Sequence, residues 1–120
     1  MKPKIFICSP LKAENATGII NNIDDAEFAA RFFALNSFDE AKHGFIPVIP
    51  HQIAYYLNDE IPEERQLGID IATILLFECD YIAINLTGDI SEGMKNEIQL
   101  ARDSLIKEIT FIIEDGKIKI

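Results

Sequence analysis

The chain has 120 residues, with 11 basic and 20 acidic side chains, and therefore a formal net charge of −9 at pH 7. This length suits one domain, because single domains commonly hold about 100–150 residues. Hydrophobic residues make up 48% and charged residues 26%, as in a globular rather than a disordered chain. The acidity argues against nucleic-acid binding, since that affinity comes largely from Lys and Arg. We therefore expect one domain, spanning residues 1–120, that does not bind nucleic acid.

The sequence shows no pattern of export or of a membrane span. The first apolar run is too short for the core of a signal peptide, and no run approaches the roughly 20 residues that cross a bilayer. Cys8 and Cys79 lie far apart and have neither metal-ligand nor redox spacing, so two buried, reduced thiols are expected. These patterns predict a cytoplasmic protein with no membrane partner, no metal site and no cofactor.

Short apolar runs and helical periodicity alternate along the first half of the chain. Residues 5–8 form a continuous apolar run, which is typical of a strand buried on both faces. A helix is expected from about Asn22, its N-cap, to an exit at residues 42–44. Residues 45–49 form a second strand, in which Pro47 removes one ladder donor and so favours a sheet edge.

The second half repeats this alternation. Residues 51–61 are expected to hold a helical turn, and Pro62 suits the first position of a helix that runs to about residue 78. The apolar stripe of that helix comprises Leu67, Ile71, Ile74 and Leu75. A third helix begins at Ser91. Further strands are predicted at residues 81–86, 109–113 and 117–120.

Alternating strands and helices predict an α/β fold, with a parallel sheet and helices on both faces. In such sheets, ligands bind beyond the carboxyl ends of the strands, near the point where the strand order reverses. The segments that follow strands are therefore the places to look for a site, namely residues 9–12, 50–52 and 87–97.

The clearest local pattern opens the third helix, with Ser91, Gly93 and Glu97. A helix N-terminus presents free N–H groups and partial positive charge, and Gly93 leaves room for a ligand near the backbone. Glu97 lies one turn beyond Gly93 and beside the core residues Met94 and Ile98, at a boundary between core and pocket. The structural interpretation of the same pattern is a Ser91 N-cap and an exposed acidic residue.

A second acidic residue, Asp70, falls on the apolar stripe of the second helix, between Leu67 and Ile74. A carboxylate there is partly buried, which is costly unless it is paired or faces a polar cavity. A bond to backbone or to Arg65 is one explanation. The other is that Asp70 and Glu97 converge on the strand-end cleft, as two carboxylates do in glycoside-cleaving sites.

Other polar side chains near the strand ends offer binding groups. Ser9 is placed to bond a ligand hydroxyl or phosphate, or simply to end its strand. Lys12 is a cation near the expected opening of the cleft, where most cations are only solvated. His51 follows the second strand, and a histidine in that position is more often structural than catalytic. The sequence contains no phosphate-binding glycine loop and no metal-spaced His or Cys cluster.

Several short motifs occur in a fixed order along most of the chain. They are residues 5–10, 22–29 and 44–51, residues 62–65 with Gly68, Cys79-Asp80, and Ser91-x-Gly93-Met94-x-x-Glu97-Ile98 with Ala101. Together they resemble the nucleoside 2-deoxyribosyltransferase-like family, in particular its short bacterial and phage members. They are also similar to the deoxynucleoside 5′-monophosphate N-hydrolases.

The resemblance implies a flavodoxin-like three-layer sandwich with a mostly parallel five-stranded sheet, and a homo-oligomer, either a dimer or larger. It implies that Glu97 attacks the anomeric carbon of a sugar and that Asp70 assists the base. Ser91 stands where transferases for free nucleosides carry an aspartate. A serine there resembles the monophosphate hydrolases, in which it contacts phosphate together with a serine after the first strand. The candidate substrate-binding residues are Ser9, Pro10, Lys12, His51, Ser91, Gly93 and Met94.

Three functions stay open at this point. The leading one is cleavage or transfer at the N-glycosidic bond of a (deoxy)nucleoside or its 5′-monophosphate. The second is a non-catalytic nucleotide-binding module, such as a phage or prophage sensor or a signal-sequestering protein. It is favoured by a first loop, residues 9–21, whose only cation is Lys12. The third is hydrolysis of a nicotinamide–ribose bond.

Overall fold

A computed structural model describes residues 2–120. That part of the chain contains five strands and three α-helices, with a 3₁₀ helix at Pro50–Tyr55. The strands are β1 Lys4–Cys8, β2 Ile46–Val48, β3 Tyr81–Asn85, β4 Lys107–Glu114 and β5 Lys117–Lys119. The α-helices are α1 Ala16–Leu35, α2 Pro62–Phe77 and α3 Glu92–Asp103.

All five strands join one sheet in the order β2-β1-β3-β4-β5. The first four are parallel, and β5 returns antiparallel to β4. The predicted α/β fold with a mostly parallel five-stranded sheet is therefore confirmed, and its strand order is the one found in flavodoxin-like folds. The chain moves outward from β1 to β2 and then crosses to β3 on the other side of β1. This reversal leaves a crevice beyond the carboxyl ends of β1 and β3.

Alternate residues of β1 contribute to two separate cores, because successive side chains of a strand point to opposite faces. Ile5 and Ile7 belong to a core shared with α1. Its α1 members are Ala26, Ala29, Ala30 and Phe33. Phe6 and Cys8 belong to a core shared with α2 and α3. Its helical members are Leu76, Met94, Ile98 and Ala101.

The first helix begins earlier than the sequence pattern predicted. α1 starts at Ala16, where the Asn15 side chain accepts a hydrogen bond from the Gly18 N–H at 2.9 Å. Asn22, the predicted N-cap, lies within the helix, and its side-chain N–H donates to the Leu11 carbonyl at 3.0 Å. The preceding loop is thus tied to the second turn of the helix.

The predicted exit of this helix at residues 42–44 is also wrong. α1 ends at Leu35, where both the backbone and the side-chain N–H groups of Asn36 donate to the Phe32 carbonyl. Gly44 instead has a φ of 85°, and a Cβ there would collide with the Ala34 carbonyl. Glycine is required at this position because the chain passes close to α1 on its way into β2.

The second helix has the predicted bounds, with Pro62 in its first turn. Its predicted apolar stripe is wrong at Leu67 and Ile74, which are exposed by 49% and 60%, whereas Leu75 packs against the core as predicted. Leu76 is fully buried instead, and the face that carries Gly68 borders a cavity. Apolar residues occur on most of the circumference of α2, so hydropathy alone does not select its inward face.

The two edges of the sheet are the short strands β2 and β5. The edge position predicted for the strand with Pro47 is confirmed. At the other edge, Asp115 and Gly116 have positive φ values in the turn that leads into β5, and Lys117 and Lys119 are exposed. Proline, tight turns and lysines are common features of edge strands.

Both cysteines carry free, buried thiols, as the sequence predicted. The Cys79 thiol donates to the Leu75 carbonyl at 3.3 Å, and burial raises the pKa of Cys79 to about 12. Within residues 2–120, none of the helices combines the length and the apolar character that a membrane span requires.

Candidate functional site

A cavity of about 490 Å³, here called the strand-end cavity, lies at the carboxyl ends of the first three strands. Ser9 borders it directly after β1, Pro50 and His51 border it after β2, and the start of α3 closes a further side. The 3₁₀ helix and α2 supply the remaining walls, largely with apolar side chains. Open α/β sheets bind ligands in this position, and pockets for small molecules commonly measure about 300–1,000 Å³.

A second depression, of about 630 Å³, lies at the opposite end of the strands. The starts of β3 and β4 border it, it is more open to solvent, and its carboxylates, Glu40 and Asp80, are exposed. Asp80 serves the fold, because its Oδ2 accepts a hydrogen bond from the Lys4 N–H at 3.0 Å. The strand-end cavity is the candidate site, since of the two it is the more enclosed and the one that holds a partly buried carboxylate.

Seven of the nine candidate residues predicted from the sequence border the strand-end cavity. They are Ser9, Lys12, His51, Ser91, Gly93, Met94 and Glu97. Pro10 is adjacent in sequence but lies outside the lining, and Asp70 lies on another side of α2. The fold therefore brings most of the predicted residues to one place, and their roles remain predictions.

Glu97 is a partly buried carboxylate of the strand-end cavity, as is Glu64. α3 packs Met94 and Ile98 into the core and so holds Glu97 at the boundary between core and cavity. Burial raises the pKa of the Glu97 carboxyl to about 7, although a hydrogen bond with the Cys8 thiol lowers it in part. A carboxyl with a pKa near neutrality is able to serve as a nucleophile, a base or an acid.

The Cys8 thiol lies at the end of β1 with two acceptors nearby. Its Sγ is 3.9 Å from the Met94 carbonyl oxygen, and it also faces the Glu97 carboxyl. Burial raises the pKa of this thiol, and the charge of the neighbouring Glu97 raises it further. A thiol held in its protonated form acts as a hydrogen-bond donor and not as a nucleophile. Cys8 is thus a neighbour that tunes Glu97.

His51 and Ser9 connect the loops that follow β2 and β1. His51 Nε2 lies 2.7 Å from the Ser9 carbonyl oxygen, and because a carbonyl only accepts, Nε2 carries the proton. Burial lowers the pKa of the imidazole, which is 3% exposed, so the ring is neutral. Its Nδ1 is buried without a hydrogen-bond partner in the described part of the chain. His51 therefore holds the two loops together at the cavity wall.

Asn85, which the sequence analysis did not select, organises the end of β3. Its Nδ2 donates to Ser9 Oγ at 3.0 Å, and its Oδ1 accepts from the Thr87 N–H at 2.9 Å. Thr87 Oγ1 in turn accepts from the Ile113 N–H at 2.8 Å. This network fixes the Ser9 hydroxyl at the cavity wall. The available signal was a polar residue at the end of a buried strand, the same signal that selected Ser9.

The first turn of α3 contributes Ser91 and Gly93. Ser91 Oγ accepts a hydrogen bond from the Met94 N–H at 3.2 Å, so the N-cap predicted by the structural interpretation is confirmed. A Cβ built on Gly93 would meet only Ser91 Oγ, at 4.0 Å. The space beside Gly93 is therefore open, and a ligand in the cavity has room to approach the backbone there.

Three charged side chains meet at the opening of the strand-end cavity, here called its mouth. Lys12 Nζ lies 3.1 Å from Asp59 Oδ2, and Arg65 Nε lies 4.0 Å from Asp59 Oδ1. All three side chains border the cavity and are exposed by 54% or more. The sequence analysis considered both cations but missed Asp59, because it lies in a loop between two helices where no periodic pattern singles it out.

The partial burial expected for Asp70 is wrong. Asp70 is exposed, and its Oδ1 accepts a hydrogen bond from Gln66 Nε2 at 2.9 Å. α2 turns a different face, with Gly68, to the strand-end cavity, so Asp70 and Glu97 do not converge there within one copy of the chain. Arg65, the partner suggested for Asp70, faces Asp59 instead. The assignment of Asp70 to the departing base stays a prediction.

The arrangement suits attack on a small ligand by a carboxylate. The cavity offers the Glu97 carboxyl, the Ser9 hydroxyl, the Ser91 hydroxyl and an open stretch of backbone at Gly93. In residues 2–120, no group of three or more His, Cys, Asp or Glu is placed to hold a metal ion. Among the residues that border the cavity, Glu97 is therefore the best candidate for a reactive group.

Among solved structures, the fold is similar to that of the 2-desoxiribosyltransferase from Leishmania mexicana. The TM-score is 0.57 and the sequence identity is 19%. The match covers 93% of this chain and 65% of that one, so this chain spans less than two thirds of that protein's length. At this identity the likeness concerns the fold. No curated protein matches the chain.

At the level of sequence, residues 3–111 match the profile of a family described as "Domain of unknown function (DUF7768)". The matched segment runs from the residue before β1 into β4 and contains every residue that borders the strand-end cavity. Fold core and candidate site thus fall within one family domain. The chain belongs to the DUF7768 family.

Proposed function

We propose that the chain cleaves or transfers the N-glycosidic bond of a (deoxy)nucleoside or its 5′-monophosphate, with Glu97 as the nucleophile. The observation that carries this proposal is the position of Glu97, a carboxyl of pKa about 7 that borders a 490 Å³ cavity at the strand ends. The similarity in fold to a 2-desoxiribosyltransferase supports this class of reaction. The proposed chemistry needs no cofactor.

In the proposed reaction, a carboxylate oxygen of Glu97 attacks the anomeric carbon of the sugar. The bond from that carbon to the base nitrogen breaks, its electron pair passes to the base, and the base takes up a proton. Delivery of that proton is the role that the resemblance gives to Asp70. Water or a second base then attacks the anomeric carbon and releases Glu97. Hydrolysis and transfer differ only in this last acceptor.

The remaining residues of the strand-end cavity are proposed to hold the sugar and the base. The Ser9 hydroxyl, fixed by Asn85, and the Ser91 hydroxyl offer hydrogen bonds to sugar oxygens or a 5′ group. The open backbone at Gly93 allows close contact. The apolar side chains of the 3₁₀ helix and α2 provide a surface for the base, because flat aromatic rings gain from apolar contact.

Incubation with a panel of nucleosides and their 5′-monophosphates, followed by chromatography of the free base, tests the proposal. Glu97→Gln is expected to reduce base release at least about 10³-fold, since the group that forms the covalent bond is lost. Asp103→Asn is the matched control, because it removes an exposed carboxylate from the same helix. Base release by Glu97→Gln at the wild-type rate would contradict the assignment.

The position of Asp70 outside the strand-end cavity favours a second candidate function. If no group of the chain protonates the departing base, the cavity binds a nucleotide without cleaving it. The protein would then be a binding module, such as a phage or prophage sensor or a signal-sequestering protein. Calorimetric binding of a nucleotide from the same panel, with no base released over hours, would support this candidate against the enzymatic one.

The homo-oligomer expected from the resemblance also stays a proposal, and α2 is the element that supports it. Leu67, Ile74 and Phe77 are exposed by 49%, 60% and 51%. Asp70 lies on the side of α2 that carries Leu67 and Ile74, so a second copy packed there would cover it as well. Light scattering on eluting protein measures the mass, and a monomer at all concentrations would contradict the proposal.

A further inference from the structure

The charges around the strand-end cavity bear on the class of ligand that it accepts. The carboxylates that border the cavity are Asp59, Glu64, Glu92 and Glu97, and the cations are Lys12 and Arg65. His51 adds no charge, because burial lowers the pKa of its ring. Carboxylates outnumber cations in this lining whether or not Glu97 is protonated. An anionic ligand therefore enters a cavity that is already negative.

Asp59 forms an ion pair with Lys12 at the mouth and lies at the outer limit of one with Arg65. Asp59 lies between Lys12 and Arg65, with one carboxylate oxygen 3.1 Å from Lys12 Nζ and the other 4.0 Å from Arg65 Nε. A phosphate bound at the mouth would compete with Asp59 for Lys12 and would share Arg65 with it. It would have to displace that carboxylate and then remain close to its charge.

The start of α3 offers little to a phosphate in compensation. The Met94 N–H in the first turn donates to Ser91 Oγ at 3.2 Å, so it is not available to a ligand. Glu92 occupies the first turn and opposes the positive end of the helix dipole for any incoming anion. Lys95 Nζ pairs with Glu92 Oε1 at 3.2 Å, and Lys95 lies outside the cavity lining.

We infer that the strand-end cavity selects an uncharged nucleoside over the corresponding 5′-monophosphate, and that Asp59 sets this selection by engaging both cations of the mouth. The inference rests on the proposed function for the class of ligand, and it decides between the two substrates that the proposed function leaves open. It does not depend on whether the glycosidic bond is cleaved. Asp59 is thus a specificity-determining residue and not a catalytic one.

The test compares binding of four deoxynucleosides and their four 5′-monophosphates, measured by calorimetry at low salt. Wild-type protein is expected to bind the preferred nucleoside at least tenfold more tightly than its monophosphate. In Asp59→Asn, Lys12 and Arg65 become free, and affinity for the monophosphate is expected to rise at least tenfold while affinity for the nucleoside changes less than threefold. Raising the salt concentration should remove that gain, because exposed charges are screened.

Glu27→Gln is the matched control, since it removes the same charge from an exposed position on α1, whose core lies on the other side of the sheet. An equal gain in the control would mean that net charge alone matters, and would overturn the role of Asp59. Equal or tighter binding of the monophosphate by wild-type protein would overturn the selection itself. The double variant Asp59→Asn, Lys12→Ala is expected to lose most of the gain.

Failure of this inference and failure of the proposed function give different results. Preference for the nucleoside without release of free base upholds the selection and contradicts only the glycosidic chemistry. Release of base mainly from monophosphates upholds the chemistry and overturns the selection. Binding of neither class overturns both.

Discussion

The two cores of the sheet differ in what they bury. The core shared with α1 is rich in aromatic side chains, and Phe33 has ring contacts with several of them. Its ring contacts four other phenylalanine rings at centroid distances of 5.4 to 6.0 Å, those of Phe32, Phe38, Phe45 and Phe111. The core shared with α2 and α3 contains both thiols and continues into a cavity that holds Glu97.

The difference indicates that one side of the sheet mainly provides stability and that the other holds the candidate site. Interlocking aromatic rings fill the α1 core. The other core tolerates a carboxyl of raised pKa, a histidine with an unpaired Nδ1 and an open cavity. Each of these features costs stability, and natural proteins concentrate such departures at functional sites.

The largest expected effect lies in the aromatic core. Phe33→Ala should lower the free energy of unfolding by about 3–5 kcal/mol, because it removes the ring that four others contact and leaves a cavity. Urea denaturation measures the change. Phe28→Ala, on the same helix but 41% exposed, serves as the control and should cost less than half as much. A cost for Phe33→Ala no larger than for the control would mean that the α1 core is not the main source of stability.

The second effect concerns Glu97 and depends on pH. Its pKa is about 7 in the fold and near its ordinary value of 4.5 when unfolded, so the folded chain keeps a proton that the unfolded chain has released. The contribution of Glu97 to the free energy of unfolding is therefore highest below pH 4.5 and falls as the pH rises toward 7. At about 1.36 kcal/mol for each unit of pKa, this fall is at most about 3.4 kcal/mol.

Glu97→Gln should abolish this fall and make the chain more stable than wild type at pH 8, while both remain similar at pH 4. Taking the difference between the two proteins in urea denaturation removes the contributions of His51 and Asp25, whose pKa values are also shifted. A difference that stays constant between pH 4 and 8 would show that the pKa of Glu97 is the same in the folded and the unfolded chain, as it is for an exposed carboxylate.

The smallest expected effect on stability is at the start of α3, where one substitution should change stability and ligand binding in opposite directions. Gly93→Ala should raise the free energy of unfolding by up to about 0.5–1 kcal/mol, since alanine suits a helix better and the new Cβ enters open space. The same methyl group narrows the cavity, so nucleoside binding should weaken at least tenfold. Unchanged affinity in calorimetry would mean that no ligand approaches the backbone at this position.

The sequence predicts the strands and α2 well because short apolar runs and an initial proline carry the signal locally. The start of α1 is different. Asn15 caps the helix through its side chain, within a polar segment that has no apolar periodicity to show that a helix has begun. Its end is decided by a local cap at Asn36, which no periodic pattern marks, and by the close passage at Gly44, which is a tertiary feature.

The site was predictable where residues follow strands and unpredictable where helix orientation decides. Ser9, His51 and Glu97 reach the cavity because the carboxyl ends of parallel strands meet at one edge. Asp70 was misplaced because α2 is apolar on several sides, and packing against the 3₁₀ helix selects the face with Gly68. Asp59 reaches the mouth only through the path of a loop, which the sequence pattern does not encode.

The edges of the sheet have a consequence for behaviour at high concentration. β2 and β5 each have three residues, and Pro47 leaves β2 without one backbone donor. Lys117 and Lys119 are exposed along β5, so a second chain that paired there would bring lysines together. Both edges are therefore poor templates for the addition of further strands. The proposed contact between copies of the chain would therefore involve the helices and not the sheet edges.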